Sequence, residues 1–231
     1  AKLSPLLDDA DPSVRWRAAA GLALMEKPAE ALLPLLRQAM EDSEFAVRLA
    51  AFDALGKAGD PQVGPIAIKA LQDQNTALRR SAVTVLGNLK LAAAVAELTK
   101  ATRDSDAQTA KGAALALAQI GSPESLLALK TQADRADHPG RVWLAVALHR
   151  AGQQGTAERF AQLLKADDVR VRRQAVAAVA ELSGLPALDL PALVLRVGFP
   201  HDERRGLADD RVAFAQPHDL GGVRIRSGGA A

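Results

Sequence analysis

Four histidines, His138, His149, His201 and His218, are the side chains of this 231-residue chain best suited to act as a base or a metal ligand. Two of them stand in a repeated His-Asp dipeptide, His201-Asp202 and His218-Asp219, a combination that could serve a metal-dependent phosphohydrolase. Such a centre needs further His and Asp held on rigid elements. These dipeptides lie in a Gly- and Arg-rich stretch that reads as solvated tail. The sequence has no H-E-x-x-H, no phosphate-loop lysine motif and no G-x-S-x-G nucleophile elbow. It also has no cysteine, which removes disulfides, thiolate nucleophiles and Cys-ligated zinc together. The expectation is therefore no catalytic residue, no metal and no cofactor.

Arginine offers a different chemistry. A row of Arg at regular intervals, Arg15, Arg48, Arg79, Arg141 and Arg172, suggests phosphate or nucleic-acid contacts. Yet the chain is nearly neutral, with 29 Lys and Arg against 27 Asp and Glu. An acidic residue precedes each Arg of the row: Asp9, Asp42 and Asp73 stand six positions ahead of Arg15, Arg48 and Arg79. A basic row with its own counter-charges points to structure before it points to a ligand.

The register of that row shows what must position it. The residue before each Arg, or its equivalent, is Val14, Val47, Leu78, Thr109, Gly140 and Val171, a step of 33 and then of 31. Four beyond these anchors lie Ala18, Ala51, Ala82, Ala113, Leu144 and Ala175; eight beyond lie Leu22, Leu55, Leu86, Leu117, Leu148 and Val179. Offsets 0, 4, 7 and 8 trace one helical face. Between one anchor helix and the next Asp sits a second apolar segment led by Pro, Gly or a small polar residue, the usual punctuation of a helix start. Asp ahead of each anchor helix can accept from its unpaired N–H groups. Composition agrees: 48% hydrophobic, 3% aromatic and no Tyr. Ala and Leu favour helices, whereas strands would want β-branched and aromatic residues. A unit of this length cannot close a core alone and must bury its faces on its neighbours. The expected fold is all-α, an α-solenoid, or α-α superhelix, of about six helical hairpins over residues 1–184.

The pattern D-x4-[VL]-R-x2-A-x3-L at Asp9–Leu22, Asp42–Leu55 and Asp73–Leu86 resembles the HEAT-repeat family, and within it the short HEAT-like repeats first associated with phycobilin lyase subunits. The resemblance covers roughly residues 1–184. It implies that Asp9, Arg15, Asp42, Arg48, Asp73, Arg79, Arg141 and Arg172 form a structural ladder, with Arg48 answering Asp42. Ala110 replaces the Arg in the fourth repeat, where the ladder is expected to break or rewire. The paired His-Glu residues of the iron-binding HEAT enzyme that hydroxylates deoxyhypusine are absent, since no His precedes Glu.

In such an architecture the anchor helices line the concave side, and their non-core positions form the candidate partner surface. Two beyond each anchor come Trp16, Leu49, Arg80, Lys111, Val142 and Arg173; Phe52 stands five beyond its anchor. Trp and Arg are common binding hot spots. The strip mixes apolar and basic residues, which suits a protein or an acidic-apolar peptide better than a duplex. His149, nine beyond its anchor, reads as a surface residue. The function expected is a non-enzymatic protein-binding scaffold. The alternatives are a lyase-type or chaperone subunit holding a chromophore, and a nucleic-acid-binding HEAT-like protein. No run of about 18 apolar residues suggests a membrane span. The opening LSPLLDDAD reads as the end of a helix already under way, so a larger polypeptide is expected. After Ser183 the register is lost: residues 185–197 could form a capping helix broken by Pro186 and Pro191, and 198–231 an irregular tail.

Overall fold

A computed structural model describes residues 5–25, 30–135, 137 and 139–182. The expected cap over 185–197 and tail over 198–231, with His138, His201 and His218, lie outside the described residues.

Among the described residues there are eleven α-helices and no strand. Six carry the anchors: α1 (Pro12–Leu24), α3 (Phe45–Ala58), α5 (Thr76–Leu89), α7 (Ala107–Ile120), α9 (Arg141–Arg150) and α11 (Val169–Glu181). Five shorter helices alternate with them: α2 (Leu33–Ala39), α4 (Gly64–Ala70), α6 (Val95–Ala101), α8 (Pro123–Ala133) and α10 (Thr156–Leu163). The first three short helices run straight out of single 3-10 turns at Glu30–Leu32, Pro61–Val63 and Ala92–Ala94. Each short helix packs on the anchor helix that follows it, giving the hairpins α2–α3, α4–α5, α6–α7, α8–α9 and α10–α11. The 3-10 turn Pro5–Asp8 packs on α1 in the place of a first partner. The fold is the expected all-α solenoid.

Anchor helices pack successively on one another, α1 on α3 on α5 on α7 on α9 on α11, whereas the short helices barely touch except for α6 with α8. The anchor row is the more closely packed of the two and is called the inner row below. Close approach depends on small residues. A methyl group on Gly56 would lie 2.4 Å from Val85 Cγ2, so α3 and α5 can meet there only over glycine.

Helix ends follow the period as well. Twelve residues beyond their anchors, Gly59, Lys90, Gly121 and Gly152 all take positive φ, which turns the chain out of the anchor helix. Lys90 does this at φ 49°, without glycine's freedom. N-termini are capped by Asp11, Asn75, Asp106 and Asp168, whose side chains accept from N–H groups two or three residues on.

Burial on the inner row covers more than one stripe. Beside the stripe at offsets 0, 4, 7 and 8, the flanks are covered by the neighbouring anchor helices: Gly56 of α3 meets Val85 of α5, and Gly112 of α7 meets Val83 of α5. Phe52 is therefore 2% exposed, and Ala19, Val83, Ala114, Ala145 and Val176 at the same offset are buried with it. This corrects the placing of Phe52 on the partner surface. It fills the joint between repeats, where a large apolar ring gains most from leaving water.

Candidate functional site

The inner helices other than α9 keep one open face, at offsets 2, 6 and 10; in α9 Val142 and Val146 are buried there. In successive repeats it carries Trp16, Ala20 and Leu24; Leu49, Asp53 and Lys57; Arg80, Thr84 and Asn88; then Lys111, Leu115 and Gln119. Trp16 is 44% exposed and Leu24 84%. Lys57, Arg80, Thr84, Asn88 and Gln119 are exposed, and Leu49 and Lys111 half-buried. Across α1, α3 and α5 these residues line a groove of about 460 Å³ that includes Leu24, Leu49, Asp53, Lys57, Arg80 and Thr84. Offset 2 alone underreported the surface. Continuing it by fours, the repeat of a helix face, would have found Asp53, Lys57 and Asn88.

Each expected contact residue has its own setting. Arg80 is not a free cation: its Nε and Nη2 donate to Asp106 at 2.8 and 2.6 Å, and Asp106 also caps α7. Two charge-assisted bonds from Arg80 hold that carboxyl well below the usual range. Lys111 Nζ sits 4.2 Å from the ring centroid of Trp143, a cation–π contact between α7 and α9. Arg173 is exposed. Val142 is 0% exposed and leaves the strip. The start of α9 at Arg141 puts Val142 in the first turn, whereas Leu49, Arg80 and Lys111 each stand four residues into their helices. An aliphatic side chain there gains by enclosure.

Asp53 is the group that sequence reasoning missed. It accepts from the hydroxyl of buried Ser81 on the floor of the groove, and its burial pushes its carboxyl up from the ordinary range. His149 is half-buried, with Nδ1 3.2 Å from the Thr156 hydroxyl, and ties α9 to α10. Among the described residues, no group of three or more His, Asp or Glu is placed to hold a metal ion, and no helix is long and apolar enough to cross a membrane.

The Arg row occupies an edge of the stack. Four of the five Arg fold back on the turn before their own helix: Arg15 Nη1 donates to the carbonyls of Asp9 and Ala10, Arg48 to those of Asp42 and Ser43, Arg79 to those of Asp73 and Gln74, and Arg172 to those of Ala166 and Asp167. The other side of the guanidinium reaches forward. Arg15 Nε and Nη2 take Asp42 at 2.6 and 2.9 Å, and Arg79 takes Asp104 at 2.8 and 3.1 Å. The carboxylate of Asp42 thus answers Arg15 of the preceding repeat, while Arg48 bonds only its main-chain carbonyl. That corrects the expected Arg48–Asp42 ion pair. Arg15 and Asp42 side chains are 15% and 9% exposed, and the Arg15 fork draws the Asp42 carboxyl down to about 2. Past Ala110 the charges are rewired, with Arg103 on Asp137 at 3.0 Å and Arg159 on Asp134 at 2.6 Å.

An inner row of stacked helices with one open face, tied at its edge by Arg–Asp rungs, defines an α-solenoid repeat scaffold. The family model for HEAT repeats matches residues 1–73 and 64–148, and the chain belongs to the HEAT-repeat family. No curated protein sequence matches it. Among solved structures it is similar to the CpcE–CpcF complex of phycocyanin lyase from Nostoc sp. PCC7120, at 22% identity over 77% of this chain and 74% of that one, with a TM-score of 0.55. It is also similar to an engineered protein (20% identity, 77% and 94% coverage, TM-score 0.50). A designed armadillo repeat protein in complex with the peptide (KR)4 matches at 18% identity, 77% and 97% coverage and a TM-score of 0.50. At these identities the likeness is one of fold.

Proposed function

We propose that the chain is a protein-binding scaffold that holds an extended segment of a partner along the open face of its anchor helices. The observation that carries this reading is the composition of that face: apolar Trp16, Leu24 and Leu49 beside Lys57, Lys111 and Arg173. Hot spots of this kind favour a partner with apolar and acidic side chains. The designed armadillo protein in complex with (KR)4 supports the idea that an α-solenoid can hold a peptide. Basic residues here are spaced among apolar ones, and Arg80 is already neutralised by Asp106, so the face offers little for a phosphate backbone to release counterions against.

The test is affinity capture from the native lysate with the wild-type chain and a Trp16→Ala, Lys57→Glu, Arg173→Glu variant, all three at exposed positions. Loss of specific partners with an unchanged thermal transition supports the reading. Identical partner sets reject it. Retention on heparin persisting at physiological salt would favour nucleic acid instead.

A further inference from the structure

The ladder has an open rung. Arg48 and Asp73 stand 25 residues apart, the spacing at which Arg79 closes on Asp104. Arg48 makes the same two backward bonds as its counterparts, at 2.7 and 2.8 Å. Yet its Nε and Nη2, the edge with which Arg15 and Arg79 grip a carboxylate, take no partner among the described residues. Asp73 is exposed, whereas Asp42 and Asp104 are half-buried beneath their arginines. Its Oδ1 accepts only from Asn75 N–H, at 2.7 Å.

A difference from the neighbouring repeats lies two residues before the anchor. Phe45 occupies a position held by Pro12, Thr76 and Ala107 in the neighbouring repeats. Its ring lies under the guanidinium of Arg48, 5.6 Å from ring centroid to Cζ. That contact competes with a forward rung to the next repeat. In place of the rung a cleft of about 440 Å³ opens, with Met40, Phe45, Ile66 and Leu78 as its apolar lining and Arg48 and Asp73 among its polar residues. Ile66 is 48% exposed there, one of few large aliphatic side chains left in water among the described residues. Leu49 forms the ridge between this cleft and the open-face groove.

We infer that this cleft, where Arg48 meets Phe45 and not Asp73, is a second recognition site, for a peptide carrying one carboxylate beside an aliphatic side chain. The two neighbouring rungs define what Arg48 lacks: a planar carboxylate accepting both Nε–H and Nη2–H. The apolar lining takes the adjacent side chain, and Asp73 accepts from peptide N–H while disfavouring a second carboxylate. The site adjoins the open face at Leu49, which lines both, but its carboxylate-binding groups Arg48 and Asp73 lie outside that face, and neither reading rests on the other.

The smallest probe with this chemistry is N-acetyl-leucine. Titrated into the full ¹⁵N-labelled chain, it should give saturable shifts at the Arg48 Nε–Hε signal and at the Phe45, Ile66 and Leu78 amides. N-acetyl-leucine amide and acetate, each lacking one of the two groups, should bind roughly tenfold more weakly or worse. Ile66→Glu, at an exposed position, should abolish the shifts without disturbing signals elsewhere. Phe45→Ala should abolish them too, because Arg48 is then free to close on Asp73. Lys57→Glu, on the open face, should change nothing. Shifts that do not saturate, equal response to the amide, or unchanged binding by Ile66→Glu would each overturn the proposal. So would an Arg48 Hε as slow to exchange as those of Arg15 and Arg79, which would mean that the rung is closed in solution.

Discussion

Replacing Phe52 with Ala separates a joint between repeats from a contact with a partner. Phe52 is 2% exposed and belongs to the main core cluster. The change leaves roughly 100 Å² of apolar surface without its cover, or ~2.5 kcal/mol at 25 cal/mol per Å². Helix α3 is held between α1 and α5 and packed on α2, so the walls cannot close fully over the space. The residual cavity brings the expected cost to about 3–5 kcal/mol. Trp16→Ala is the matched control, because Trp16 is larger but 44% exposed; it should cost about 1 kcal/mol. Urea unfolding followed by far-ultraviolet circular dichroism gives both values from the shift in midpoint at constant slope. Native-state hydrogen exchange should show the loss spread over α3 and its neighbours, as coupling between adjacent repeats requires. If Phe52→Ala unfolds within 0.5 kcal/mol of wild type (~0.5 being the usual scatter of surface changes), or costs less than Trp16→Ala, the burial of the inner helices' flanks is wrong.

Other expectations can be read with the same unfolding assay. Gly56→Ala should destabilise by about 1–3 kcal/mol despite alanine's better helix propensity, because its methyl would collide with Val85. Gly21→Ala, with nothing within 4 Å of the new methyl, should instead stabilise by ~0.5–1 kcal/mol. Lys90→Gly should stabilise by up to ~1 kcal/mol, since it relieves the left-handed backbone at φ 49°; a loss would show that the lysine side chain contributes more than the strain. The Asp42 carboxyl is held at about 2 by Arg15, below its unfolded value near 3.8, so its contribution is present above pH ~4 and is lost as pH falls through about 2. Asp42→Asn should therefore be less stable than wild type at neutral pH and converge with it in acid. Asp53 has the opposite sign: its carboxyl is raised by burial, so Asp53→Asn should be the more stable form at neutral pH, with the advantage fading as the wild-type carboxyl takes up its proton. A parallel pH profile for either variant would refute the assignment.

The fold was legible because it is written six times. Val14, Val47, Leu78 and their successors recur at a step of 33 and then of 31, a period at which stacked helical hairpins bury a face. Element boundaries inside a repeat were harder, since the 3-10 turns at Pro61–Val63 and Ala92–Ala94 run straight into helices. The site was less legible. A single amphipathic stripe assigns Phe52 to the surface because it lies off the 0, 4, 7, 8 face. The neighbouring anchor helices cover that flank, and nothing in a one-helix pattern reports a neighbour in the same row. Val142 was misplaced for a local reason, the later start of α9. The ladder partners were inverted because spacing along the chain favours Asp42 for Arg48, while the inter-repeat stack brings Asp42 to Arg15.

What distinguishes this solenoid is found where the repeat is broken. A repeat position held by the same residue type in most copies is accounted for by packing or by the ladder, and it fulfils the same task in each copy. Lys90 and Ala110 depart from a repeated residue, Phe45 stands at a position that varies from copy to copy, and each changes the edge locally. Ala110 removes a rung, and the charges around it re-pair through Asp137 and Asp134. Lys90 keeps the turn at some strain. Only Phe45 leaves a cation and an exposed carboxylate beside an apolar cleft. A chain that merely stacked hairpins would gain stability by closing that rung, as its neighbours on both sides do. Phe45→Ala should therefore be neutral or stabilising while it removes the cleft, the opposite of what deleting a core aromatic does at Phe52.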